Sequence, residues 1–286
     1  MRTLSRLAGV TAVLALFVAA GLTATGPAGA AAKGCVRKGV AAGKPGDVHT
    51  VSAFVSAAKA DGRTGESIGR ALEKEWCLTN VGEEPAGQVQ PFNTANDTDW
   101  YSMSLYYERD YGYYLAVAHW RWLNDRFTDD DWVTCINNEV GDDDGVALRL
   151  SGGEYQIISR FAAADGNAAR NSYGNDFGYQ EMPSSVVNQY GAGFKWQDSA
   201  KGMQSNGACV NPFVYDYSLY TGTVVIGFRA LNGVCRRAQM FVDYVHTWDS
   251  TGVSSIGAGQ GGFNVSFSNA GDSWADSEPG PTAQIC

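Results

Sequence analysis

Much of the residue chemistry that enzymes and metal centres use is scarce in this sequence. Three histidines, His49, His119 and His246, are spread over 286 residues. There is no GxSxG elbow, so the signature of an α/β-hydrolase nucleophile is missing. No CxxC pair occurs, which removes the spacing of a zinc cluster and of a thioredoxin-like dithiol. No internal repeat is found. Beyond Leu22 no apolar run is long enough to cross a bilayer as a helix. Basic residues are also in deficit, 21 against 30 acids.

What is present first points to export. The chain is basic at Arg2 and Arg6, apolar from Leu7 to Leu22, and small at Ala28-Gly29-Ala30. This pattern predicts a secretory signal peptide over residues 1–30. Its arginines are not adjacent, which favours ordinary Sec export over the twin-arginine route. Cleavage would leave 19 basic against 30 acidic residues, a net charge of −11. Such a charge repels nucleic acid and anionic lipid headgroups, so no nucleic-acid partner is expected. All six cysteines (Cys35, Cys77, Cys135, Cys209, Cys235 and Cys286) follow the leader. An even number in an exported chain predicts three disulfides, with Cys35–Cys77 expected to close the first structural unit. The expectation is a secreted, extracellular, monomeric protein with no transmembrane segment after signal cleavage.

Hydrophobic periodicity then divides the chain. Val51, Phe54, Val55 and Ala58 fall at i, i+3, i+4 and i+7, one face of a helix that Asp61-Gly62 ends. Thr64 is placed to cap a second helix, with Glu66 in its first turn and Ile68, Ala71, Leu72 and Trp76 as its stripe. Residues 31–80 therefore read as a helical hairpin, 81–99 as a linker, and 100–286 as a β domain. From Trp100 onward, alternating aromatic and β-branched runs are separated by Gly, Asn and Asp clusters. The predicted fold is mainly β: an antiparallel β-sandwich or jelly roll with a short N-terminal helical hairpin. Asn232-Gly233 predicts a type I′ turn pairing residues 224–231 with 234–242. Ser151–Glu154 is a second hairpin candidate, and 162–188 reads as a loop region.

The stretch from Trp100 to Trp122 carries the main functional expectation. A three-residue turn at Arg109-Asp110-Tyr111 would set Leu105 opposite Leu115 and Met103 opposite Val117 on an aliphatic core face. The other face would then present Trp100, Trp120, Trp122, Tyr106 and Tyr114 among Ser102, Ser104, Ala116 and Ala118. Flat aromatics beside small polar residues suit the C–H faces of sugars. The competing reading is that another layer covers these rings, since burying each tryptophan is worth about 2–3 kcal/mol and large apolar patches are uncommon on monomers. The leading expectation is a non-catalytic binding protein for polysaccharide or cell-envelope glycan, with those five aromatics as its ligand-binding residues.

Two other functions are carried beside it. A carbohydrate-active hydrolase needs two converging carboxyls, for which Glu139, Glu154, Asp176, Glu181 and Asp243 are candidates. Asp243 shares parity with Gln239 and Thr247 and is expected to be exposed. A β-pore-forming toxin-like protein would use the Ser/Gly-rich alternating run from Ser250 to Trp274 as a membrane-inserting hairpin, although an edge hairpin of a sandwich reads the same way. Acidic clusters at Asp129–Asp131 and Asp142–Asp144 repel internally unless a cation sits between them. Structural calcium on Asp142 and Asp144 is the one cofactor expected. Val140 and Ser151 stand where an EF-hand would place ligands, so that motif is not met. His119 and His246 fall on apolar faces and are expected in the core; His49 is expected to lie exposed before the first helix.

Overall fold

The computed structural model describes residues 45–83, 98–109, 111–122, 135–136, 138–166, 173–248, 251–259, 262–269 and 272–286. The expected signal peptide, Cys35 and the acidic cluster Asp129–Asp131 lie outside the described residues. Helix α1 (Pro45–Ala60) buries Val51, Val55 and Ala58, the predicted stripe. Helix α2 (Gly65–Trp76) begins at Thr64, whose side chain accepts from the Ser67 amide, and ends at Cys77 in the left-handed region. His49 lies inside α1 rather than before it. Its ring packs 3.9 Å from Phe161 and its Nδ1 is 3.2 Å from Glu181.

Two antiparallel sheets stack into a sandwich. The first, in spatial order, holds β1 (Leu78–Asn80), β2 (Thr98–Glu108), β3 (Tyr113–Trp122), β10 (Thr221–Ala230), β5 (Tyr155–Gly166) and β6 (Gly178–Glu181). The second runs β14 (Ser273–Ile285), β11 (Arg236–Thr247), β4 (Asn138–Leu150), β8 (Gly191–Ser205) and β7 (Ser184–Asn188), with β9 (Ala208–Tyr217) also on β8. A separate hairpin, β12 (Val253–Gly259) with β13 (Gly262–Phe267), lies against the outer face of the second sheet. Strands β6 and β7 occupy part of the segment expected to be loop.

Three local readings are corrected, the first by the length of a turn and the other two because the flanking strands pair in different sheets. Glu108 pairs with Tyr113, so the β2–β3 connection is one residue longer than expected, with Gly112 at φ +63°. That extra residue shifts the register, so Leu105 opposes Ala116 and Met103 opposes Ala118. A one-residue slip exchanges the faces of a whole strand. Both faces therefore mix aromatic, aliphatic and small residues, and both are covered. The second sheet covers Trp100, Leu105, Tyr114, Ala116, Trp120 and Trp122; the helices cover Tyr106, Tyr113, Leu115 and Val117.

The other two corrections concern the hairpins. Asn232 and Gly233 do adopt positive φ, yet β10 belongs to the first sheet and β11 to the second. Both flanks of β10 are occupied by β3 and β5, so no edge is left for β11. Ser151–Glu154 likewise links β4 of one sheet to β5 of the other. There Gly152 (φ +83°) lets the chain press on β11: a Cβ would meet the Arg237 carbonyl at 2.2 Å.

Disulfides hold the sandwich ends. Cys235 and Cys286 are bonded just outside the β11–β14 ladder, and Cys135 joins Cys209 of β9. Cys77 is also disulfide-bonded. No described cysteine is free.

The outer face of the second sheet buries an ion pair. Asp243, expected to be exposed, has no exposure; it accepts from Arg149 Nε at 2.9 Å and from Ser277 Oγ. The Arg149 guanidinium lies 4.1 Å over the Phe241 ring. Burial raises the Asp243 pKa, and Arg149 and Ser277 pull it back down. Arg149→Met keeps the packed stem and removes the countercharge, so a loss of about 1–3 kcal/mol is expected at neutral pH. Because the folded pKa lies above its unfolded value, the native state takes up the proton first as pH falls. The deficit of the variant should therefore narrow on acidification toward the ordinary carboxylate range. Denaturant unfolding of both proteins from pH 7 to pH 4 reads this directly; a deficit that widens instead would contradict it.

Candidate functional site

At one end of the inter-sheet space, inward positions of three adjacent strands meet. Asp144 of β4, Asp198 of β8 and His246 of β11 bring side-chain donor atoms within 4.8 Å of one another, all fully buried. Asp144 is the centre of the group. Its Oδ2 accepts from His246 Nδ1 at 2.9 Å and from the Tyr244 hydroxyl at 3.2 Å; its Oδ1 accepts from the Thr247 amide at 2.8 Å. Asp198 Oδ2 lies 3.9 Å from the same imidazole nitrogen. Burial first, then the charges of Asp144 and Asp198, hold the Tyr244 hydroxyl well above its ordinary pKa, which keeps it a donor. Charge-assisted bonds of this kind are stronger than neutral ones and fix their partners' geometry.

Aromatic rings close over this centre. Trp122 lies 4.5 Å from the His246 ring, with Trp248 at 5.7 Å and Trp274 at 5.9 Å. The row continues inward through Trp122–Tyr217, Trp120–Tyr244 and Trp100–Trp120. Trp120 and Trp122 have no exposure, Tyr114 has 6% and Trp100 has 8%. Tyr106, expected beside them, faces the helices instead, at 4%. The five aromatics are thus split between two buried layers, and the surface they were expected to form is covered on both sides.

The calcium expectation divides in the same way. Asp142 is exposed, and its carboxylate accepts from the Asp143 amide, whereas Asp144 joins the buried centre. That centre offers two carboxylates and one imidazole nitrogen, a set suited to a borderline transition metal and poor in oxygens for calcium.

A different set of residues reaches the surface. On the outer side of β8 the pairing with β7 ends at Phe194–Ser184 and the pairing with β9 begins at Ala200–Tyr217. In this gap lies a pocket of about 420 Å³ lined by Asp143, Pro183, Ser184, Ser185, Lys195, Trp196 and Gln197. Lys195 Nζ bonds Asp143 Oδ2 at 2.7 Å and the Val253 carbonyl at 2.9 Å. Gln197 Nε2 donates to the Val140 carbonyl at 3.0 Å. Arg160 donates to Ser184 Oγ at 2.9 Å. Trp196 is half-buried and packs against the inter-sheet core.

Asp198 and, Asp143 of the acidic cluster apart, the pocket residues escaped sequence reasoning. Asp198 had one usable signal: it continues the inward parity of Ala192, Phe194 and Trp196, where a carboxylate is out of place. The other carboxylates considered for catalysis do not converge. Glu139, Glu154, Asp176 and Glu181 are exposed, and Asp243 is held by Arg149 on the opposite face. His119 is buried with its Nδ1 2.7 Å from Thr223 Oγ1. Fold and site together define a disulfide-bonded antiparallel β-sandwich with a buried His–Asp–Asp centre and a polar edge pocket. No protein-family model matches the chain, and no curated protein matches it.

Proposed function

We propose that the protein is a secreted, non-catalytic extracellular protein that binds a glycan of a polysaccharide or cell envelope, with its contacts in the β8 edge pocket. The observation that carries this reading is the pocket's mixed lining. Asp143 accepts, Lys195 donates, and the Gln197 amide and the Ser184 and Ser185 hydroxyls do both. A hydroxyl-rich ligand offers donors and acceptors at every position and is matched by such a set. The volume falls within the about 300–1,000 Å³ common for small-ligand pockets. The disulfides fit an oxidising, extracellular setting.

Hydrolysis is the weaker reading. Asp144 and Asp198 approach closely enough for a glycosidase pair, but both are fully buried, and the pocket presents one carboxylate only. A glycan array identifies the ligand. Asp143→Ala and Gln197→Ala should each then weaken binding by about tenfold or more, through loss of a charged or amide hydrogen bond, with the thermal midpoint held. Binding unchanged in both variants would remove the pocket from the proposal.

A further inference from the structure

Three ionisable side chains stand on a face of the second sheet that is otherwise apolar. Asp144 of β4 shares its parity with Val146 and Leu148, Asp198 of β8 with Phe194 and Ala200, and His246 of β11 with Val242 and Tyr244. The three strands are neighbours, in the order β11, β4, β8. Asp144 opposes Trp196 across the β4–β8 ladder, so Asp198 is its diagonal neighbour. The sheet itself therefore aims all three groups at one enclosed point.

Charge distinguishes this group from an ordinary buried hydrogen-bonded pair. Asp144 and His246 alone would make a neutral pair, with Nδ1 and Oδ2 2.9 Å apart. Asp198 adds a second carboxylate to the same space, and its Oδ2 is 3.9 Å from Nδ1, past hydrogen-bond range of that atom. One imidazolium between two carboxylates leaves a net negative charge, and uncompensated charge is costly to bury. A divalent cation beside a neutral imidazole balances both carboxylates.

The spacing and the support fit a metal as well. The donor atoms of a tetrahedral zinc stand about 3.3 Å apart, given bonds of about 2.0–2.1 Å. The two distances to Nδ1, 2.9 and 3.9 Å, bracket that value. The Thr247 amide holds Asp144 Oδ1 at 2.8 Å and so turns Oδ2 toward the imidazole, as the outer partners of metal ligands do. Trp122 at 4.5 Å and Trp248 at 5.7 Å fix the plane of the His246 ring.

We propose that Asp144, Asp198 and His246 bind one divalent transition-metal ion of the zinc class, as an internal staple of β4, β8 and β11. Ligation runs through Asp144 Oδ2, one carboxylate oxygen of Asp198 and His246 Nδ1. The proton of the Nδ1–Oδ2 hydrogen bond leaves to solvent as the metal takes its place. The imidazole ligand and the small number of oxygens disfavour calcium and magnesium. Zinc accepts both donor types and imposes no geometry of its own. Because all three ligands have no exposure, the ion enters during folding and is then held. The inference is independent of the edge pocket and stands if the glycan reading fails.

The full chain, disulfides intact, is unfolded in urea with EDTA and refolded either with zinc or with EDTA. Both samples are passed briefly through EDTA and desalted, and zinc is counted by mass spectrometry. About one zinc per chain is expected after refolding with zinc, with a urea midpoint above that of the EDTA sample. Asp198→Asn keeps the side-chain shape and removes a charge; it should lower retained zinc by about tenfold or more. His49 and Glu181, 3.2 Å apart and partly exposed, form the pair on which adventitious zinc would sit. His49→Gln should therefore keep the full zinc content. If Asp198→Asn does not refold, X-ray absorption at the zinc edge of His49→Gln decides, with one imidazole, oxygens and no sulfur expected. Sub-stoichiometric zinc in the unmodified protein, an unchanged midpoint, equal retention in Asp198→Asn, loss in His49→Gln or a sulfur ligand would each overturn the proposal.

Discussion

Trp120→Ala should lower stability by about 3–5 kcal/mol, the range for emptying a large aromatic from a packed core. The ring has no exposure and lies between Trp100 and Tyr244, at centroid distances of 5.9 and 5.6 Å. Its indole N–H donates to the Leu219 carbonyl at 3.1 Å, so truncation also strands a buried acceptor. The partner strand is shaped to it: a Cβ on Gly222 would stand 2.1 Å from the ring. That space belongs to the indole, and neighbours cannot close it without moving β10. Urea unfolding of the variant measures the effect as a shift of midpoint at constant slope. A loss below about 1 kcal/mol would mean that the ring is a surface residue. The glycan binding proposed for the edge pocket should persist in the folded fraction of Trp120→Ala, because this ring is not part of the pocket.

Asp144→Ala should cost a similar amount, about 3–5 kcal/mol, through a different mechanism. One carboxylate here serves the His246 imidazole, the Tyr244 hydroxyl and the Thr247 amide. Removing it leaves three buried donors without their acceptor and Asp198 beside a vacated site. Asp144→Asn should cost less, since its carbonyl oxygen still accepts, although its NH₂ can then face the imidazole N–H. The double variant Asp144→Leu with His246→Leu should be less destabilised than the sum of the single changes, because the two groups are mutual partners. Additive losses in that cycle would show that the centre does not act as a unit.

The aromatic stretch shows how far sequence reasoning reaches. Parity along β3 was legible: Leu115, Val117 and His119 do share one face, and Tyr114, Trp120 and Trp122 the other. The helices were legible too, since caps and a 3.6-residue period are written within a few residues. The face of β2 was not, because one turn residue, Gly112, moved the register. Nor was the destination of β10 and β11, although the Asn232-Gly233 conformation itself came out as expected.

Sequence alone determined the two helices, the sandwich class and the alternation along β3. These follow from backbone sterics and side-chain periodicity acting over a few residues. The tertiary structure alone decided which face is covered and by what. It sent Trp120 and Trp122 under the second sheet, joined Asp144 to Asp198 and His246 across 54 and 102 positions of sequence, and opened a pocket where β7 ends. Burial and convergence depend on contacts between strands distant in sequence, and no local pattern encodes which strand will be the neighbour.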